Sequence, residues 1–134
     1  MNIIYTLDEQ NGTNLLGKRQ SKDSVLADEI LSMAKGLLYI KGTSLSFFDG
    51  KAVKGLATIV EDFDQVPNDA FIFTEEVLPQ SIMDKADNIY VFRWNRRYPS
   101  MIQDRVNLDG YKHETIRHFQ GNSHDKITLE VYNK

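Results

Sequence analysis

The chain opens on Asn2 to Leu7 (NIIYTL), β-branched and aromatic residues that are apolar on both faces. That is the pattern of a strand buried in the middle of a sheet. Asp8 to Gly12 follows, and its Asn11-Gly12 pair predicts a turn. A polar loop over Thr13 to Lys22 leads into Asp23 to Lys35, where Leu26, Ile30, Met33 and Ala34 recur at helical spacing. Asp23 is placed to cap the start of this helix and Gly36 to end it at the C′ position. Leu37 to Ile40 reads as a short buried strand. Strand, loop, helix and strand in that order favour a parallel pair joined by a right-handed crossover.

Gly42 to Lys54 is less legible. Leu45 to Phe48 fits either a strand entering an Asp49-Gly50 turn or a helical turn. Leu56 to Val60 and Ala70 to Thr74 read as strands on either side of an acidic loop, Glu61 to Asp69. Pro79 to Ala86 predicts a short helix, and Asn88 to Asn95 a strand. In the second half of that strand, Arg93, Asn95 and Arg97 alternate with Trp94, Arg96 and Tyr98. Tyr111 to Phe119 and Lys126 to Tyr132 flank the turn residues Gln120 to Ser123, a hairpin with Ile127, Leu129 and Val131 on one face. The pattern as a whole predicts one α/β domain over residues 1–134: a mixed sheet with a parallel core, flanking helices and a C-terminal antiparallel hairpin.

At 134 residues, 41% hydrophobic and 26% charged, the chain is sized for one core and is neither disordered nor collagen-like. The absence of cysteine excludes a disulfide scaffold, thiolate zinc, iron–sulfur clusters and a cysteine nucleophile. The start, MNIIYTLD, has no basic region ahead of a long apolar stretch, and no apolar run approaches the ~18 residues of a membrane span. The expectation is a cytoplasmic protein that does not enter a membrane. The net charge of −3 is unevenly spread: residues 61–90 carry one lysine against eight acids, and residues 91–134 eight basic residues against five acids. A weakly acidic chain is a poor match to nucleic acid, which calls for a basic face, although the last third leaves a local one open.

Candidate chemistry is sparse. His113, His118 and His124 lack the spacing that loads a metal on one element, and on a regular strand His113 and His118 face opposite sides. No phosphate-loop or dinucleotide fingerprint is present, and no cofactor is implied. Lys41-Gly42-Thr43-Ser44, just after a strand, offers backbone N–H groups and hydroxyls to an anion. Arg19, Ser21 and Lys22 precede the first helix, where a helix N-terminus adds partial positive charge. Asp8, Asp23, Asp28 and Glu29 are the acid–base candidates near the first strand and helix. Arg93, Asn95 and Arg97, mixed with Trp94 and Tyr98, suit either stacking and neutralising a nucleotide or RNA strand, or pairing with the acids at 61–76.

Two resemblances add to this reading. Gly17 to Asp23, Tyr39-Ile40, Arg93 to Pro99 and Phe119 to Tyr132 resemble a small uncharacterised family of Gram-positive bacterial proteins whose members often carry the label ribonuclease Z. That label implies an H-x-H-x-D-H metal motif in a much longer chain, and the sequence has neither. The order of elements resembles a shortened dihydrofolate reductase. Its first strand runs into Asn11-Gly12, a later strand ends in Lys41-Gly42-Thr43, Lys85-Ala86-Asp87 precedes Asn88 to Val91, and Asn122-Ser123-His124 sits before the last strand. Where the reductase has Gly-Gly after a strand, this chain has Thr74-Glu75-Glu76, two negative charges set against a pyrophosphate. Its Met-Gly-Arg-x-Thr turn is reduced to Ile40 to Ser44, and the carboxylate that protonates the pterin has only Asp23 and Asp28 as candidates.

Together these readings lead to a degenerate reductase-like domain that binds a nucleotide-like or other anionic small molecule, or a protein partner, without redox turnover. The expected ligand-binding residues are Arg19, Ser21, Lys41, Thr43, Ser44, Arg93, Asn95 and Arg97. The alternatives are a small metal-independent RNA-processing enzyme using Arg93, Arg97, His118 or His124, and an interaction module that docks through the acidic 61–76 segment.

Overall fold

The computed structural model describes residues 1–15, 18–49, 55–97 and 104–134. Gly17, the Gly50 half of the Asp49-Gly50 turn, Lys51 to Lys54, and Tyr98 with Pro99 lie outside the described residues. In chain order the elements are β1 (Asn2–Leu7), β2 (Asn14–Leu15), β3 (Lys18–Arg19), α1 (Ser24–Ala34), β4 (Leu38–Lys41), α2 (Leu45–Phe48), β5 (Ala57–Val60), β6 (Phe71–Phe73), α3 (Gln80–Met83), β7 (Asn88–Arg93), β8 (Lys112–Phe119) and β9 (Ile127–Asn133). A single 3₁₀ turn, Gly42–Ser44, joins β4 to α2. No helix among the described residues is long and apolar enough to cross a membrane.

The sheet runs β5-β4-β6-β1-β7-β9-β8. Five strands, β5 to β7 in that order, are parallel, and β9 and β8 extend the sheet as an antiparallel hairpin on β7. The mixed α/β sheet expected from the sequence is the fold. The twofold apolar character of β1 has a direct cause: its alternate residues feed two cores. Ile3, Tyr5 and Leu7 pack under α3 with Leu78, Ile82, Met83 and Val106. Ile4 packs on the opposite side with Leu26, Ala27 and Ile30 of α1, Phe47 and Phe48 of α2, and Trp94.

Local signals fix α1. Asp23 is the N-cap and accepts from the amides of Val25 and Leu26; Lys35 and Gly36 close the helix at φ 49° and 85°. Two details differ from the sequence expectation, and one open alternative, at Leu45–Phe48, is decided. The strands β1 and β4 are parallel but are not a pair, because β6 enters between them. The segment Leu45–Phe48 is helical, burying Phe47 and Phe48 against Phe73. The strand β7 stops at Arg93, and Asn95 takes a left-handed backbone at φ 57°, so the alternation that put Arg93, Asn95 and Arg97 on one face does not continue.

The terminal hairpin carries a bulge between Thr115 and Arg117. One extra residue reverses which face every later side chain meets. His113 therefore pairs with Tyr132 and His118 with Thr128, four residues apart on one face of β9. This corrects the expectation that the two histidines face opposite sides. Set roughly 13 Å apart along the strand, they still do not converge on one metal.

Candidate functional site

In a parallel sheet the strands all end on one edge, and the loops leaving that edge form the crevice where ligands bind. Here the carboxyl ends of β4 and β6 and the chain following β1 enclose a cleft of about 370 Å³. Its walls are Thr13 and Asn14, Lys18 and Arg19 from β3, Lys41 at the end of β4 with Thr43 and Ser44 after it, and Thr74 to Glu76 after β6; Phe63 and Phe73 supply apolar surface. Asp104 is brought to the rim because its carbonyl accepts from the Thr13 amide at 2.9 Å and its carboxylate from Asn14 Nδ2 at 3.0 Å. A shallower groove of about 470 Å³ adjoins across Lys41, Thr43 and Glu76 and includes the exposed Ile59 on the edge strand β5. Both volumes fall in the range of small-molecule sites.

Inside the cleft stands a guanidinium–carboxylate fork. Arg19 Nε donates to Glu75 Oε2, and Arg19 Nη2 donates to Glu75 Oε1 at 2.9 Å. Ser44 Oγ, itself buried, donates to the same Oε1 at 2.9 Å. The arginine is held from other sides too: Nη1 donates to Ser46 Oγ at 2.9 Å, Nη2 to the Thr43 carbonyl at 3.3 Å, and the guanidinium lies 5.8 Å from the Phe47 ring centroid. The hydrogen bond to Glu75 raises the Arg19 pKa above its ordinary value, fixing the positive charge. Glu75 and Glu76 are presented by a tight turn in which Thr74 Oγ1 accepts from the Glu76 amide at 3.1 Å. Lys41 Nζ lies 3.5 Å from Glu76 Oε2 and 5.5 Å from the Phe63 ring.

Of the eight residues expected from the sequence, Arg19, Lys41, Thr43 and Ser44 come together in this cleft. Ser21 is half-buried but does not line it. Arg93 lies elsewhere, closed into a structural network: Nε donates to Glu130 Oε1 at 2.7 Å, Nη1 to the Asp8 carbonyl at 2.9 Å and Asn11 Oδ1 at 2.6 Å, and Nη2 to Tyr132 Oη at 2.8 Å. It pairs with Glu130, not with an acid at 61–76. Asn95 donates to the Lys126 carbonyl and to Thr128 Oγ1 at 3.2 and 2.8 Å. Arg97 reaches Gln10, whose amide oxygen accepts from Nε and Nη2 in the orientation that satisfies both groups.

The other candidates have local duties. The N-terminus of α1 is closed by Asp23, which also accepts from Ser123 N and Ser123 Oγ at 2.7 Å each, and by Asn122, which accepts from the Ser24 amide. Lys22 pairs with Asp49 at 2.7 Å on the surface. Burial alone would raise the Asp23 carboxyl, but the Ser123 hydroxyl and the amides of Ser123, Leu26 and Asn122 outweigh it and hold the pKa below the ordinary 3.8. A carboxylate so stabilised is a poor general base. Asp8 is fully buried and accepts from the amides of Gln10 and Gly12 and from Gln20 Nε2. Glu29 pairs with Arg117.

His118 Nδ1 is 2.8 Å from Thr128 Oγ1, and His113 stacks on Tyr132. His124 stacks on Trp94 across the sheet from them, with Nδ1 2.7 Å from Ser123 Oγ. Burial and the charge of Arg96 lower the His124 pKa. Among the described residues, no group of three or more His, Asp or Glu converges to hold a metal ion.

Sequence reasoning missed Lys18, Glu75 and Asp104 as parts of the site. Glu75 follows a strand directly, which is a usable signal; Asp104 is delivered by a loop-to-loop bridge that carries none. A scan of the chain against protein-family models and against curated proteins finds no match.

Proposed function

We propose that this domain binds a small nucleotide-like or otherwise anionic molecule in the cleft at the carboxyl ends of β4 and β6, without redox turnover. The observation that carries this reading is the convergence of Lys18, Arg19, Lys41, Thr43 and Ser44 on one concave site of suitable volume. Cations and hydroxyls supply the donors that an oxyanion needs, and Phe63 and Phe73 supply apolar surface for a ring.

The element order supports a degenerate dihydrofolate-reductase-like layout as the frame. A first strand is central, a loop and helix lead to a strand ending in Lys41-Gly42-Thr43, Lys85-Ala86-Asp87 precedes β7, and a hairpin closes the sheet. Glu75 and Glu76, standing where the reductase has glycines, weigh against cofactor binding. The RNA-processing alternative is disfavoured because His118 and His124 lie on opposite faces of the sheet and Arg93 is engaged by four partners. Of the acidic 61–76 segment, Glu75 is engaged inside the cleft, whereas Glu61, Asp62, Asp64 and Asp69 are exposed and keep docking as the second reading.

The test is calorimetric titration with adenosine 5′-monophosphate, repeated on Lys41→Ala. Removing a charged donor to an oxyanion should weaken binding by about ten-fold or more. Absence of any nucleotide binding to the wild type refutes the reading.

A further inference from the structure

The Arg19–Glu75 fork has the composition of an anion receptor with its anion already in place. Two guanidinium N–H groups and a serine hydroxyl converge on one carboxylate, the donor set that recognises a carboxylate or phosphate oxyanion from outside. Three features separate it from an ordinary surface ion pair. The pair forms a cleft wall, with side chains 24% and 16% exposed. The guanidinium is anchored independently of Glu75 by the Thr43 carbonyl, Ser46 Oγ and the Phe47 ring, so it keeps its position if the carboxylate leaves. Glu75, by contrast, uses its carboxylate on Arg19 and Ser44, and it comes from a short turn beside the open cleft. Arg19 has partners besides Glu75, whereas the Glu75 carboxylate is held by the seat residues Arg19 and Ser44.

We propose that Arg19 and Ser44 form an oxyanion seat which Glu75 fills in cis, and that a ligand's phosphate or carboxylate enters by displacing that side chain. The inference rests on the cleft being the ligand site and adds how it is gated. Lys18 lines the same cleft, and Lys41, 3.5 Å from Glu76 Oε2, adds a second cation beside the seat. Glu75 thereby sets a threshold: a weakly held anion does not displace it, whereas a ligand that also fills the apolar part of the cleft does.

The experiment titrates inorganic phosphate into the wild type, Glu75→Gln, Glu75→Ala and the Arg19→Gln/Glu75→Gln double variant, followed by amide shifts that also report folding. Adenosine 5′-monophosphate is titrated alongside. Removing the internal carboxylate should tighten phosphate binding by about ten-fold or more, with shifts at residues 43–46 and 74–76, and adding Arg19→Gln should abolish the gain. No gain in either folded Glu75 variant, or a gain that survives Arg19→Gln, overturns the seat. Nucleotide binding by the wild type without a gain in the variants overturns the seat alone. A phosphate gain in Glu75→Gln while the wild type ignores nucleotide leaves the seat standing and refutes the nucleotide reading.

Discussion

Replacing Arg93 by alanine distinguishes a binding groove from a structural clasp. In the folded protein its guanidinium makes four hydrogen bonds, to Glu130, the Asp8 carbonyl, Asn11 and Tyr132. Were this an exposed ion pair, its loss would cost ~0–1 kcal/mol. The side chains of Arg93 and Glu130 are only 12% and 15% exposed, so the alanine variant strands a largely desolvated carboxylate. Breaking a fully buried pair costs ~3–5 kcal/mol, and discounting for the residual exposure gives about 2–4 kcal/mol here. Arg93→Met, which keeps the apolar stem, separates charge from packing. Adding Glu130→Gln to Arg93→Ala removes the stranded charge and should recover about 1–3 kcal/mol as a coupling term. The assay is urea denaturation at neutral pH, with phosphate titration on each folded variant. A loss below ~1 kcal/mol, strict additivity in the double variant, or weakened phosphate binding without a stability change refutes the structural assignment.

The remaining predictions concern the α1 N-terminus and the cofactor. A Cβ on Gly121 would fall 2.8 Å from Asp23 Cγ and 2.7 Å from Ile127 Cδ1 and crowd Asp23 Oδ2. Gly121→Ala should therefore destabilise by at least the ~1 kcal/mol of a lost cap, against the ~0.4–1 kcal/mol stabilisation such a change brings where it fits; urea denaturation reads the sign. Because the Asp23 pKa is lowered on folding, its contribution is present above the unfolded value and lost as pH falls through the folded one. Melting temperature should fall more steeply for wild type than for Asp23→Asn between about pH 4 and pH 2. NADPH, followed by fluorescence, should show no micromolar saturation, and dihydrofolate should not be turned over, because one phosphate can take the place of Glu75 while the second phosphate of the cofactor's pyrophosphate still faces the Glu76 carboxylate.

What was legible in the sequence was local. The strand β1 announced itself because both of its faces are apolar, and both are buried. The helix α1 was readable from Asp23, its apolar spacing and Gly36, because caps and amphipathic stripes are written within a dozen residues. The basic strand end misled because alternation was extended past Arg93, where Asn95 at φ 57° breaks it. The histidine faces misled because one bulge residue, unmarked by glycine or proline, inverts the pattern. In the cleft, Lys41, Thr43 and Ser44 were visible as a polar turn after a strand. Glu75 was seen only as a repelling charge, because its partner Arg19 lies 56 residues earlier in the chain. A pair created by tertiary folding leaves no periodic trace.

The most direct test of the cleft as a ligand site is a ¹H–¹⁵N correlation titration of the wild-type protein with adenosine 5′-monophosphate. The account predicts saturable shifts concentrated at residues 13–19, 41–46 and 73–76, with residues 93–97 and 112–119 unmoved. Saturable shifts confined to 93–97 and the terminal hairpin, or none anywhere at millimolar ligand, would contradict it.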